Sequence, residues 1–399
     1  MKKAGLLLLC GALVFTACQK DPVPSKDASL SGTTVDVSEF STKASKLFVL
    51  NEGGMGSNNS TLDFLRFEDG QYITSAFNKM NPDVGDGLGD VGNDIAVHGN
   101  EVWMVVNNSG IVEVVSAQDE VEKAAIQVPT PRNIAFDNQY AYVTSWAGAY
   151  ATYGANYSIS DYKNPKGQVY RINLSTKKVE GTVEVGYQPE GIAVYNGKLY
   201  VANSGGIASQ LPPTYSYDNT VSIIDAASFK VEKTIEVEVN LKNVYASGNG
   251  TIYVTTLGNY WDVHTGLYAF EASNPTQVIR VKGTAVKEES SHVTASCQRG
   301  NAIYCIGTQD EFDWSVTSHE YYAWSVEGNT VTHYPIVLKG TPYGIYVMEG
   351  VGGILFLLVA DAGDYFNPGT LSCYRLDHNQ NEKLWSVPAG VCPGHFALY

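Results

Sequence analysis

The hydrophobic positions of this chain form a short phrase that repeats along the sequence. In Val185–Gly206, VGYQPEGIAVYNGKLYVANSGG, an apolar strand over Gly191–Val194 meets a tight turn at Tyr195, Asn196 and Gly197. A second strand follows over Lys198–Ser204, pairing an aromatic residue with valine. That second strand recurs as LFVLN, VWMVVN, AYVTSW, LYVANS, IYVTTL, IYCIGT and LFLLVAD. The aligned aromatics are Phe48, Trp103, Tyr142, Tyr200, Tyr253, Tyr304 and Phe356. A period of roughly 50 residues suits one four-stranded blade, with loop insertions taking up the variation.

The apolar strand of the phrase precedes six of these segments, at Asp94, Asn133, Gly191, Asn243, His292 and Gly344. The segment at Leu47 has none before it. A spare copy stands at the end of the chain, Pro393–Tyr399, and matches Pro189–Val194 position by position. The pattern predicts an all-β fold, a seven-bladed β-propeller of four-stranded antiparallel blades, closed by the C-terminal strand joining the N-terminal blade. Such closure leaves neither sheet edge open. The third and fourth strands of each blade alternate apolar with polar residues, as half-buried strands do. No helix is required after the N-terminus.

The first residues break this pattern. Met1–Ala17 carries two lysines, an apolar run and then small residues, the form of a secretory signal too short to span a bilayer. It ends in Phe15, Thr16, Ala17 and Cys18, a lipobox-like sequence that makes Cys18 the expected site of lipidation. Residues 18–45 are rich in Ser, Thr, Asp and Lys and read as a flexible tether, leaving 46–399 for the propeller. Without Lys2 and Lys3 the basic count is 26 − 2 = 24 against 41 acidic residues, a net charge of −17. So acidic a surface argues against nucleic acid as a partner. Four cysteines follow Cys18, at 297, 305, 373 and 392, and their spacing leaves disulfides and buried thiols equally open.

Strand direction alternates within a blade, so connections sort onto two ends. One end has tight turns; the other carries the long insertions, which gather on one face of a rigid scaffold where binding usually lives. Those loops are rich in aromatics: Trp146, Tyr215, Tyr217, Tyr260, Trp261, Trp314 and Tyr365 are the ones taken as ligand contacts. Residues opening the innermost strands should ring the channel mouth on the same face. This adds Tyr187, Arg132, Glu190, Lys242, His292, Tyr343 and His395. Arg132 and Lys242 offer an anion charge-assisted hydrogen bonds, although both can equally pair with Glu190 and Asp94 in a structural network. The histidines come from separate blades without ligand spacing, so no metal or other cofactor is expected. No P-loop, nucleophile elbow or H-E-x-x-H is present, and catalysis has no sequence motif behind it.

Tyr200, Val201, Ala202 and Asn203, echoed at Tyr142–Ser145 and Tyr253–Thr256, resemble the repeat of the YVTN, YncE-like propellers. With its lipobox and the following Gln19, Lys20 and Asp21, the chain is similar to the Bacteroidetes propeller lipoproteins that take up xenosiderophores. That resemblance implies an outer-membrane, lipid-anchored protein on the extracellular face. It would bind a ferric siderophore or similar chelate and pass it to a TonB-dependent transporter, performing no chemistry itself. The alternatives are a secreted propeller lyase or hydrolase, with Glu190, Asp94, His292 or His395 as acid and base, and a protein- or glycan-binding scaffold.

Overall fold

Seven four-stranded antiparallel sheets form a closed ring in the computed structural model, which describes residues 30–147, 166–205, 217–259, 263–282, 292–308, 318–376 and 382–399. The innermost strands are Gly92–His98, Pro131–Phe136, Pro189–Tyr195, Leu241–Ala246, Ala295–Arg299, Pro342–Glu349 and Pro393–Leu398. Each next strand outward is the aromatic segment read from the sequence, and it is the most buried of its blade. Lys46–Asn51 and Thr251–Thr256 are buried at every position. Such strands lie between two neighbouring blades, so both faces must be apolar and the alternation disappears. The outermost strands show the opposite, as in Lys230–Glu236, where one residue of seven is buried.

The ring closes as the pattern requires. The last strand pairs antiparallel with Lys46–Asn51, setting Leu47 opposite Leu398 and Asn51 opposite Pro393. Blade I therefore takes its inner strand from the C-terminus and the rest from the N-terminus. Cores lie in the seams between blades; one unites Phe48, Leu62, Phe64 and Phe77 of blade I with Val102, Met104 and Val115 of blade II.

Three expectations are corrected. The sequence requires no helix, yet the outer strand of blade I, Gln71–Ile73, is followed by a short one, Ala76–Met80. The buried Asp63 carboxylate accepts from Tyr72 Oη at 3.0 Å and from the Ser75 amide at 2.8 Å. Ser75 adopts φ 53°, which turns the chain inward and buries Ala76 and Phe77 in the seam. The second correction concerns the tether. Thr33–Thr34 pairs with Gln71 and Tyr72 as a fifth strand of blade I. Phe40 packs edge-on against Phe67 and Phe356, 5.9 and 4.9 Å between centroids, and Trp385 Nε1 donates to the Asp36 carbonyl. Residues 33–41 thus clasp blade VII to blade I across the closure. A lone Phe in a Ser/Thr-rich stretch gives no periodicity by which to foresee this.

The third correction is a register. The inner strand of blade VI was read from His292 but begins at Ala295, and Cys297, not a residue nearer His292, lies opposite Tyr304. HVTAS and ASCQR carry similar small and apolar positions, and no proline marks the start. All four cysteines are free and buried, which answers the disulfide question for the described residues.

A buried ion pair pins blade I to blade II. Lys46 Nζ lies 2.7 Å from Glu120 Oε1, donates to the carbonyls of Ala117 and Gln118, and sits 4.8 Å from the Phe64 ring centroid. Removing one partner strands a charge in a dry seam. Lys46→Met should cost about 3–5 kcal/mol by chemical denaturation. Lys46→Met combined with Glu120→Met should recover most of that loss. A single variant within about 1 kcal/mol of the parent would refute the assignment.

Candidate functional site

The chain enters five of the seven inner strands through a residue with positive φ: Val91 (60°), Thr130 (40°), Gln188 (45°), Asn240 (58°) and Cys392 (49°). Of these only Asn240 is a residue type that tolerates such backbone readily. The repeated kink swings the next two or three residues over the axis. A cavity of about 520 Å³ results at the channel mouth, within the size range of small-molecule sites. Arg132, Glu190, Lys242, Tyr343 and His395 line it, at the mouth where the sequence puts them, and so does Trp146, which the sequence puts on a loop.

Two groups of polar contacts organise the mouth. Arg132 meets Glu190 through Nε, 3.1 and 3.2 Å from the two carboxylate oxygens, and through Nη2 at 3.1 Å. Its guanidinium lies 4.4 Å from the Trp146 ring centroid, and Trp146 is buried beneath it. Arg132 is therefore committed to the bidentate network that the sequence left as one of its two roles. Lys242 is different: it is exposed and forms no ion pair among the described residues.

The second group lies at the ring closure. Glu52, from the end of the second strand of blade I, accepts from Tyr343 Oη at 2.6 Å and lies 2.8 Å from His395 Nε2. Burial works to raise the Glu52 carboxyl. The hydrogen bond and charge of His395, the Tyr343 hydroxyl and the charge of Lys242 outweigh it, so Glu52 titrates below an ordinary glutamate. Burial and the Glu52 charge push the Tyr343 hydroxyl far up. Asp94 lies deeper; burial raises its carboxyl despite the charge of His395 and the amides of Ile134 and Ile95 at 2.9 Å. Below them the Tyr245 hydroxyl meets the Ser296 carbonyl at 3.0 Å.

Other expected positions fall elsewhere. His292 does not line the mouth. The register shift of blade VI moves Thr294 there and leaves His292 buried, its Nδ1 3.4 Å from Thr265 Oγ1 and its ring 5.6 Å from that of His264. Tyr187 is on the face, 40% exposed, but outside the channel lining. Tyr217 is half-buried on a neighbouring loop. Tyr365 is outside the channel lining and packs against Tyr343, which is in it. Cys18, Tyr215, Tyr260, Trp261 and Trp314 lie outside the described residues. Sequence reasoning missed Glu52 and Met55, both in the lining. A signal for Glu52 existed: a charge at the end of an aromatic strand, where blades II and IV have Asn107 and Ser204.

No protein-family model matches the chain, and no curated protein does. Among solved structures it is similar to the hydrazine synthase of Kuenenia stuttgartiensis, at 15% identity and a TM-score of 0.57, covering 77% of this chain and 89% of that one. It is also similar to a putative 6-phosphogluconolactonase from Bacteroides fragilis, at 10% identity and a TM-score of 0.56, covering 90% and 99%. The fold is a seven-bladed β-propeller. Likeness at this identity extends to the fold and no further. The described residues contain no group of three or more His, Cys, Asp or Glu side chains set to hold a metal ion.

Proposed function

We propose that this propeller is a small-molecule capture protein: an outer-membrane, lipid-anchored lipoprotein on the cell surface. It holds a ferric siderophore or similar anionic chelate at the channel mouth and passes it to a TonB-dependent transporter. The observation that carries the reading is Lys242, an exposed cation without an ion pair among the described residues, in the lining of a cavity of about 520 Å³. In an acidic protein, an exposed lysine lining such a cavity is a ready partner for a ligand's negative charge. No bond is made or broken. The test is titration of the purified protein with ferric catecholates and hydroxamates, followed by Tyr and Trp fluorescence. Lys242→Ala should weaken binding about tenfold, the worth of one charge-assisted contact. Silence across the panel with the fold intact would end the proposal.

The Glu52 and His395 pair favours a second reading, a hydrolase, and the name of the Bacteroides fragilis structure supplies a substrate to try, 6-phosphogluconolactone. On this reading Glu52→Gln abolishes turnover while leaving affinity largely intact. Absence of lactone opening above the uncatalysed rate would remove it.

A further inference from the structure

The loop after the second strand of blade VII, residues 361–367, holds an aromatic side chain against Tyr343 of the cavity lining, contrary to the preferences of its own backbone. Tyr365 has φ 67°, a conformation that bulky side chains rarely adopt. The residue is nevertheless 49% exposed, so burial does not explain the strain. The backbone is fixed from both sides. The Tyr365 amide donates to the Ala362 carbonyl at 3.0 Å, and the Asp364 carboxylate accepts from the amides of Phe366 and Asn367 at 2.9 and 2.8 Å. The Gly363 amide donates to Asp361, and the Gly363 carbonyl accepts from Thr341 Oγ1 at 2.8 Å. What this scaffold presents is one ring meeting Tyr343 edge to face, with centroids 5.9 Å apart at 78°. Tyr343 is itself held by Glu52 and lines the cavity that Lys242 also lines.

Strain kept at a site that contributes little packing marks a position held for something other than stability. We infer that Tyr365 and Tyr343 form a rigid aromatic ledge that receives a π face of the ligand while Lys242 takes its negative charge. The site is thereby assigned to aromatic carboxylates and related aromatic anions, in preference to aliphatic acids of the same size. A pre-positioned ring loses little freedom on binding, which is why the ledge outperforms a mobile side chain. The assignment rests on the channel mouth being a small-molecule site, and it holds whether or not the natural ligand carries iron.

The experiment compares benzoate with cyclohexanecarboxylate, matched in charge and nearly in size, by ligand-observed NMR titration of the full protein. Benzoate should bind about fivefold more tightly, the scale of one favourable ring contact. Lys242→Ala should weaken both acids alike. Tyr365→Gly suits the positive φ, so it should melt no lower than the parent and lose the preference for benzoate alone. Tyr365→Phe should keep the preference. Equal affinities in the parent, no binding of either acid, or a preference that survives Tyr365→Gly would each overturn the inference. If ferric siderophores fail to bind while the benzoate preference persists, the chelate reading falls and the aromatic ledge stands.

Discussion

Deleting Pro393–Tyr399 should abolish cooperative unfolding, although the deletion removes only one short strand. That strand is the innermost of blade I, hydrogen-bonded along Leu47–Asn51. The Tyr399 carbonyl also accepts from the amides of Ser45 and Lys46, at 2.7 and 3.1 Å. Ala397 belongs to the core between blades I and II, and Phe396 stacks on Tyr346 with centroids 5.7 Å apart. Without it, the buried strand beside it exposes a full edge and two inter-blade seams open to water. With backbone bonds worth about 1 kcal/mol each and the apolar contacts added, the loss exceeds about 5 kcal/mol, comparable to the whole stability of many domains. Truncation at Cys392 should give aggregated material, or a protein without a sharp thermal transition. A synthetic peptide spanning 392–399 should restore part of the transition by adding the missing strand in trans. A truncated protein melting within about 5 °C of the parent would show that the closure is dispensable.

The second large effect is a pH dependence set by Glu113. It lies in the third strand of blade II, opposite Met104, and therefore faces the apolar seam toward blade I. It is 3% exposed, and Oε1 has no hydrogen-bond partner. Burial, and then the charge of Glu122, push its carboxyl up from the ordinary 4.5 to about 8. Between those values the folded protein keeps the proton that the unfolded chain has lost. Raising the pH therefore favours unfolding, beginning near 4.5 and levelling off above 8. The shift amounts to about 4–5 kcal/mol of stability present in acid and absent in alkali. Glu113→Gln preserves shape and cannot ionise. It should match the parent within about 1 kcal/mol near pH 4.5 and exceed it by several kcal/mol at pH 9. Urea denaturation at the two pH values decides this. Parallel pH profiles for the two proteins would refute it.

Both predictions rest on features that the sequence reveals to different degrees. The spare C-terminal strand is legible because Pro393–Tyr399 copies Pro189–Val194 and the first aromatic strand lacks such a partner. Glu113 is not. In IVEVVS it alternates with valines as any exposed strand residue would, and only the packing of blade II on blade I puts it in a dry seam. The same division runs through the candidate site. Residues announced by a proline or glycine at the strand start, such as Arg132 after Pro131 and Tyr343 after Pro342, were placed correctly. His292 has no such marker and was misplaced by three residues.

The sequence by itself determined the number of blades, the order of strands and the way the ring closes. Each of these follows from a local period and from hydrogen-bonding demands that any strand must meet. Tertiary structure alone decided the partnerships at the mouth. Glu52 follows one strand while Tyr343 and His395 sit on two others, and Glu52 and His395 are separated by most of the chain. Arg132 spends its charge on Glu190 while Lys242 forms no ion pair among the described residues, although both occupy the same place in their repeats. A period describes each blade in isolation. Which side chains meet between neighbouring strand ends depends on the ring bringing those ends together, and no local pattern carries that information.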